Sequence, residues 1–230
     1  MRKNILNIIL IFGVLFTGCS KYQFVFVEQR YPQNSTEPNF IDADSIKINY
    51  NFAGNNMPVK IRIFNDSEKS LYFDLKKSSA IIGGEKVDYW KQIENRIVHI
   101  PPKSYINKNV CYLGGSFNLK ESDAEFRNVS FSGPTGTYHA RLYDFKTYNT
   151  PLTFRSYLTF SSSENFENEV AIDKEFYVPA IVESYSKNIS FDPQVVGYGD
   201  NSVLTERTDF SKGIGYIAIV GLIGLYLASL

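Results

Sequence analysis

Apolar and polar residues alternate along most of the chain from residue 45 onward. The alternation is clearest in residues 46–52, 59–63, 71–75, 138–142 and 152–160. A period of two places apolar side chains on one face of a strand and polar side chains on the other. Strands with one buried face and one solvated face are typical of antiparallel sheets. The pattern therefore predicts an all-β domain made of antiparallel strands.

Short polar and glycine-rich segments separate the predicted strands. Residues 65–69 are a polar turn, and Gly83-Gly84 predicts a two-residue hairpin. About eight or nine strands with such turns between them predict a β-sandwich. The predicted sandwich domain covers residues 43–183 and ends with a strand at 175–182, and only residues 119–126 have a short helical pattern.

The segments on either side of the sandwich lack sustained alternation. Residues 19–42 contain two prolines and several small polar residues, which predicts a tether, with an edge strand at residues 24–27. Residues 184–212 contain Asp, Asn, Gly and Pro and predict a connector.

The first nineteen residues have the pattern of an export signal. Arg2 and Lys3 precede an apolar run at residues 5–16, which is too short to cross a bilayer comfortably. Small residues then lead to Cys19. We therefore predict that residues 1–18 are a signal peptide and are not part of the fold.

The last eighteen residues, 213–230, contain no charged residue. As a helix they would be about 27 Å long, close to the thickness of a bilayer core. We predict a membrane helix, and a helix buried in a protein core is the alternative. Gly221, Gly224 and Ala228 are small residues on which such a helix could pack closely against another.

The residues Leu-Phe-Thr-Gly-Cys at 15–19 resemble the lipobox of bacterial lipoproteins. The resemblance implies cleavage before Cys19 and acylation of the Cys19 thiol. The residue after the cysteine is Ser20. In lipoproteins that are retained in the inner membrane, this position is Asp. The resemblance therefore implies a lipid-anchored protein of the bacterial cell envelope, more in the outer membrane than in the inner.

The two apolar ends also fit a different lipid anchor. A signal, a polar spacer and an apolar tail resemble a eukaryotic lipid-anchor signal with its junction at Asn201 or Ser202. Four glycosylation sequons, at Asn34, Asn65, Asn128 and Asn188, match that interpretation, but about 2.6 are expected by chance for this acceptor pattern. The cysteine directly after Gly18 favours the bacterial interpretation.

Residues 59–84 resemble the immunoglobulin-like domains of exported bacterial proteins. In those domains an apolar strand ending in Asn, a short polar turn and a second apolar strand form a core hairpin. The resemblance implies an immunoglobulin-like antiparallel β-sandwich. It implies no particular function, because that sandwich serves many unrelated roles.

Composition agrees with a folded β domain and excludes some partners. Aromatic residues make up 15% of the chain, with 16 Tyr and 18 Phe, which favours strands. The 24 cationic and 24 acidic residues balance, and no basic block provides a nucleic-acid surface. If Cys19 is acylated, Cys111 is expected to be a small buried apolar residue; a Cys19–Cys111 disulfide is the alternative.

The chain contains no recognisable catalytic, metal or cofactor motif. Its two histidines, His99 and His139, are forty residues apart, which is no zinc-ligand spacing. No G-x-S-x-G elbow and no D-x-D-x-D-G loop is present. We therefore predict no catalytic residue, no metal and no cofactor.

One segment is rich in the residue types found at protein interfaces. Tyr143, Arg155 and Tyr157 occupy positions predicted to face solvent, and Tyr and Arg are favoured at interface hot spots. They form the candidate face for a protein partner. A cross-strand aromatic ladder that supports the sheet is the alternative.

These observations predict a non-enzymatic, membrane-anchored envelope lipoprotein that is a structural or accessory subunit of a protein assembly. Its partners would be membrane lipid, through the acyl anchor and the C-terminal helix, and other envelope proteins. The alternative is a surface binding or adhesion module that recognises a protein or a glycan, and a hydrolase with an unrecognised site is a third interpretation.

Overall fold

The computed structural model describes residues 20–30, 40–43, 45–89, 96–133, 136–189, 191 and 201–207. These residues form fourteen strands and no α-helix. The strands are β1 (Ser20–Gln29), β2 (Phe40–Ala43), β3 (Ile46–Asn51), β4 (Gly54–Asn55), β5 (Pro58–Asn65), β6 (Leu71–Ile82), β7 (Glu85–Asp88), β8 (Ile97–Ile100), β9 (Ser104–Tyr112), β10 (Glu125–Gly133), β11 (Gly136–Asp144), β12 (Thr153–Ser161), β13 (Glu169–Ser184) and β14 (Asn201–Arg207).

The strands form two sheets, which confirms the all-β sandwich prediction. The large sheet has ten strands, seven of which follow the order β4-β14-β1-β13-β12-β6-β7. Of the other three, β11 pairs with β13, β10 pairs with β11, and β8 pairs with β6. The small sheet has the order β2-β3-β5-β9. All pairs are antiparallel except β14 with β4.

The main core lies between the two sheets. The alternation in β3 and β5 points one face of each strand inward, so that Ile48, Tyr50, Ile61 and Ile63 are at most 1% exposed. Phe176 of the large sheet lies against Tyr50 and Phe52, with ring centroids 4.8 and 5.1 Å apart. These aromatic contacts join the two sheets.

The strand β1 lies inside the large sheet, where the sequence predicts a tether with an edge strand. It pairs with β13 on one side and with β14 on the other. Residues 24–27 are all at most 3% exposed, because Phe24 and Phe26 enter one cluster and Val25 and Val27 enter the main core. A strand that is buried on both faces has a continuous apolar run and no alternation.

Part of the predicted connector is also in the large sheet. Residues 201–207 form β14, and β13 is longer than the predicted last strand. Ser202 is fully buried and its hydroxyl bonds the backbone oxygen of Phe52. The alternative lipid-anchor junction at Asn201 or Ser202 would therefore lie inside a paired strand.

A second apolar cluster lies on the outer face of the large sheet. Phe191 covers it, with its ring 4.8 Å from Phe24, 5.4 Å from Phe26 and 5.0 Å from Phe131. The other members are Ala140, Leu142, Ala180 and Val182. This cluster gives β11 and β13 a second buried face.

Two local predictions are wrong and one is confirmed. Residues 119–126 form no helix, because eight residues are too few to stabilise an isolated helix. Residues 121–124 instead form a turn, and the backbone amide of Lys120, just before it, donates to Asp123 Oδ2 over 2.9 Å. The 65–69 turn does not close a hairpin, because β5 and β6 belong to different sheets. The Gly83-Gly84 hairpin is confirmed, with φ values of 57° and 92° that glycine tolerates.

The Asn65 side chain explains why the chain crosses between the sheets at this turn. Its amide nitrogen donates to the backbone oxygens of Lys69, Ile100 and Pro101 over 2.7–3.1 Å. Asn65 is 2% exposed. The Asn65 side chain therefore holds the turn and the residues after β8 together through hydrogen bonds. Because it is buried in the folded domain, the sequon at Asn65 is inaccessible to a glycosylating enzyme.

Candidate functional site

The two ends of the described domain meet at one corner of the large sheet. Ser20 and Arg207 are register partners on the neighbouring strands β1 and β14. Cys19 and residues 213–230, including Gly221, Gly224 and Ala228, lie outside the described residues. In the part of the chain that is described, no helix is long and apolar enough to cross a membrane. We call the Ser20–Arg207 pair the anchor corner.

The structure does not bring the three predicted partner-face residues together. Tyr143 is 2% exposed and belongs to the main core. Burial raises the pKa of its hydroxyl. Arg155 and Tyr157 do lie together, with the Arg155 guanidinium 4.8 Å from the centre of the Tyr157 ring. The candidate face is therefore reduced to these two residues.

Arg155 is already paired within the protein. Its Nε and Nη2 atoms donate to both carboxylate oxygens of Asp173, over 2.5–3.2 Å, and this raises the pKa of Arg155. A bidentate ion pair satisfies the carboxylate-binding edge of the guanidinium. The pair links the neighbouring strands β12 and β13.

A buried carboxylate lies near the anchor corner. Glu183 is 4% exposed, and its carboxylate lies 2.6 Å from Lys21 Nζ and 2.9 Å from Gln23 Nε2. The Gln23 amide also bonds the backbone oxygen and nitrogen of Phe117 over 2.6 and 2.8 Å. Lys21 and Glu183, with Arg141, line a cleft of about 570 Å³. The Glu183 contacts join β1 to β13, and the Gln23 contacts with Phe117 hold the loop before β10 to the sheet, so both have a structural role.

Hydroxyl groups inside the main core form a closed network. Tyr50 Oη and Tyr89 Oη each lie 3.0 Å from Ser156 Oγ. Burial raises the pKa of both tyrosines, so their hydroxyls stay neutral. All three residues are fully buried, so no substrate reaches Ser156.

Cys111 is a free thiol that is 1% exposed, which confirms the expected small buried residue. Burial raises the pKa of this thiol to about 12. Because the thiolate is the reactive form, the native Cys111 stays protonated and inert at neutral pH. The disulfide alternative would instead need Cys111 bonded to Cys19.

We expect no measurable alkylation of Cys111 by iodoacetamide at pH 8 in the folded protein, and full alkylation in urea. Mass spectrometry of the peptide that contains Cys111 measures both. Rapid alkylation of this peptide under native conditions would contradict the buried position.

The outer face of the small sheet carries a regular pattern of polar side chains. Its three neighbouring strands place residues in rows across the sheet. One row is Asn49–Arg62–Asn107 and the next is Asn51–Lys60–Asn109. A third row, Lys47–Phe64–Tyr105, adds two aromatic rings 5.4 Å apart. We call these nine residues the cationic face.

Arg62 lies at the centre of the cationic face and is held by its neighbours. Its Nε donates to Asn107 Oδ1 over 2.9 Å. Its guanidinium carbon lies 5.2 Å from the centre of the Tyr105 ring and 6.0 Å from that of Phe64. No ion pair joins Arg62 to a carboxylate among the described residues. The guanidinium is therefore oriented but not neutralised.

The other two cations of the face differ in their pairing. Lys60 Nζ donates to the backbone oxygen of Ala53 over 2.7 Å and has no carboxylate partner in the described chain. Lys47 Nζ lies 2.6 Å from Asp66 and lowers the pKa of that carboxyl. Grooves of about 540 Å³ and 360 Å³ run over this face. The face thus combines positive charge, amides and a recessed surface.

The described residues define an all-β, sandwich-like protein with an exposed cationic face, and they hold no group of three or more His, Cys, Asp or Glu side chains placed to bind a metal ion. No family model, no curated protein and no solved structure matches the chain.

The cationic face is the feature that sequence reasoning missed. The polar positions of β3 and β5 are visible as the solvent-facing half of the alternation. The rows appear only when the register of β3, β5 and β9 is known, because the members of each row are 9 to 58 residues apart in the chain.

Proposed function

We propose that this protein is a non-enzymatic, membrane-anchored lipoprotein of the bacterial envelope, with an immunoglobulin-like sandwich held against the bilayer. The anchors are an acylated Cys19 and a membrane helix at 213–230. The observation that carries the proposal is the anchor corner, where Ser20 and Arg207 are register partners. Cys19 comes directly before Ser20 in the sequence, and the apolar segment begins six residues after Arg207.

The anchor corner lets both attachments enter the same bilayer. Cys19 immediately precedes β1. Residues 208–212 separate β14 from the apolar segment and reach at most about 18 Å when extended. Because β1 is part of the sheet, residues 20–29 provide no spacer. The sandwich end that contains Ser20 and Ser184 therefore rests close to the membrane in this proposal.

The membrane helix adds to an attachment that acylation could supply alone. A single acyl chain holds a protein only marginally, but triacylation of Cys19 would suffice by itself. A membrane helix in addition to an acylated cysteine supports contact with other membrane segments, through Gly221, Gly224 and Ala228. We therefore propose a structural or accessory subunit of an envelope assembly, in the outer membrane in preference to the inner.

Metabolic labelling with a palmitate analogue tests this proposal. We expect label on the wild-type chain and on the Cys111→Ala variant, and none on the Cys19→Ala variant, since only Cys19 is acylated. The Cys111→Ala variant is the matched control because the chain has two cysteines. After a carbonate wash, the wild type should stay with the membranes, and a Cys19→Ala chain truncated after residue 207 should be released. A wild-type chain that carries no acyl group and washes off would overturn the proposal.

A second candidate function is a surface module that binds a protein or a glycan. The cationic face favours it, because an oriented guanidinium without a carboxylate partner suits an anionic ligand. Protease digestion of intact cells distinguishes the two functions: a cleaved sandwich favours the surface module, and a protected one favours the periplasmic subunit.

A further inference from the structure

We propose that the β10–β11 hairpin and the residues after β13 make a third contact with the membrane, in which Tyr138, Tyr185 and Lys187 lie among the lipid headgroups. This inference rests on the proposed function, because its partner is the bilayer that holds Cys19. It adds a lipid-binding surface on the folded domain itself.

The hairpin and the anchored strand β1 end at nearly the same level. One row across the large sheet joins Gln23 of β1 to Arg141 of β11 through β13. Ser20 lies three residues beyond this row on β1, and Gly136 lies five residues beyond it on β11. The hairpin therefore extends about 7 Å past Ser20. Because Cys19 is the residue next to Ser20, a bilayer that holds its acyl chain also meets the end of the hairpin.

The strand between β1 and β11 is shorter, so this end of the sheet has a step. β13 ends at Ser184, one residue past the Gln23–Arg141 row, while β1 and β11 continue. The cleft of about 570 Å³ lies at the step, and its lining includes Lys21 and Tyr185. Tyr185 is 75% exposed. The step thus presents an exposed aromatic ring between two projecting strands.

The residues at this end are of the types found where proteins meet lipid headgroups. Tyr138 lies on β11 at the level of Ser20 on β1. Tyr185 and Lys187 follow β13, and both are exposed. A tyrosine has an apolar ring and a polar hydroxyl, which suits the boundary between hydrocarbon and headgroups. A lysine ammonium is attracted by the phosphates of anionic lipids.

Charge along the strands distinguishes the anchored end of the sandwich from the opposite end. Residues 129–140 and 184–189 contain no acidic residue, and Glu206 and Arg207 on β14 offset each other. At the opposite end, residues 162–169 contain three glutamates and no basic residue. An anionic headgroup surface therefore attracts the first end and repels the second.

Quenching of a fluorophore by spin-labelled lipid headgroups tests the inference in the full, acylated chain. The fluorophore is attached to a Thr137→Cys variant and, as the matched control, to a Glu164→Cys variant, both in a Cys111→Ala background. Both positions are exposed. The vesicles contain phosphatidylethanolamine and phosphatidylglycerol. We expect strong quenching at residue 137 and none at residue 164, because the 16 residues of β13 alone span about 50 Å.

A double variant tests the residues named for the contact. Tyr185→Ser with Lys187→Glu should lower the quenching at residue 137 at least about threefold, because an acidic residue replaces a basic one at an anionic surface. The matched control is Tyr148→Ser with Lys146→Glu, which makes the same change at another exposed tyrosine and lysine two residues apart. It should leave the quenching unchanged. Circular dichroism of each variant checks the fold.

The inference is overturned if a chain that stays with the membranes after a carbonate wash shows no quenching at residue 137. It is also overturned if residue 164 is quenched equally, or if the two double variants have the same effect. In each of these cases the anchors of the proposed function remain in place. A wild-type chain that carries no acyl group and washes off would instead overturn the proposed function, and this inference with it.

Discussion

Replacing Phe176 by alanine is expected to lower the free energy of unfolding by about 3–5 kcal/mol, the range for a buried Phe→Ala change. Phe176 is fully buried, and its ring contacts aromatic residues from both sheets. The ring centroids of Tyr50, Phe52 and Phe154 lie 4.8, 5.1 and 5.6 Å away. The large-to-small change would leave a cavity where the two sheets meet, and strands on either side cannot close it without losing register.

Chemical denaturation of the detergent-solubilised chain, followed by near-ultraviolet circular dichroism, measures this effect. Tyr148→Ala is a suitable control, because Tyr148 is 87% exposed and the change should stay within about 0.5 kcal/mol of the wild type. A loss below about 1 kcal/mol for Phe176→Ala would show that the sheets do not meet at this residue, since a buried Phe→Ala change costs far more.

Alternation of apolar and polar residues predicts a strand correctly where one face of the strand is exposed to solvent. The strands β3 and β5 follow it closely, with buried and more exposed residues in turn. Tyr50 and Ile61 point inward as the pattern predicts, while Lys60 and Arg62 point outward. Half-burial is the physical condition that creates the pattern, so the strands β3 and β5 and their inward faces could be predicted from the sequence.

The same rule fails where a second layer covers the outer face. The strand β1 is buried on both faces, and its short apolar run resembles an isolated element beside a polar linker. In β11, Leu142 enters the outer cluster while Tyr143, the next residue, enters the main core. The alternation predicts that Tyr143 faces solvent, because Ala140 and Leu142 define its apolar side. Phe191 covers the outer face of the sheet at this cluster, so Leu142 is buried there and Tyr143 can point into the main core.

The candidate sites differ in how far local sequence determines them. Tyr157 and Arg155 are two residues apart on one strand, so their proximity follows from local geometry alone. The rows of the cationic face and the pairing of Glu183 with Lys21 join distant parts of the chain. Such sites depend on strand register, which hydrophobic patterning narrows and does not determine by itself.

Removing the cation beside the buried Glu183 is the second change with a large expected effect. The Lys21→Met variant keeps most of the apolar side chain and leaves a carboxylate that is 4% exposed without its 2.6 Å ion pair. Breaking a buried pair from one side costs about 3–5 kcal/mol, and we expect the lower end because Lys21 is 29% exposed. Gln23 still donates to Glu183, which limits the loss further.

A double-mutant cycle separates the ion pair from general disruption of the cleft. The Glu183→Gln variant keeps an acceptor for Gln23 and leaves Lys21 partly solvated, so it should cost less than Lys21→Met. The double variant should then be more stable than the sum of the two losses predicts, because no charge is left buried. Lys86→Met is a matched control, since Lys86 is 69% exposed in its pair with Asp88 and exposed pairs contribute about 0–1 kcal/mol. Additive losses at Lys21 and Glu183 would show that the two charges do not interact, and that the loop held through Gln23 and Phe117 accounts for the stability of this end.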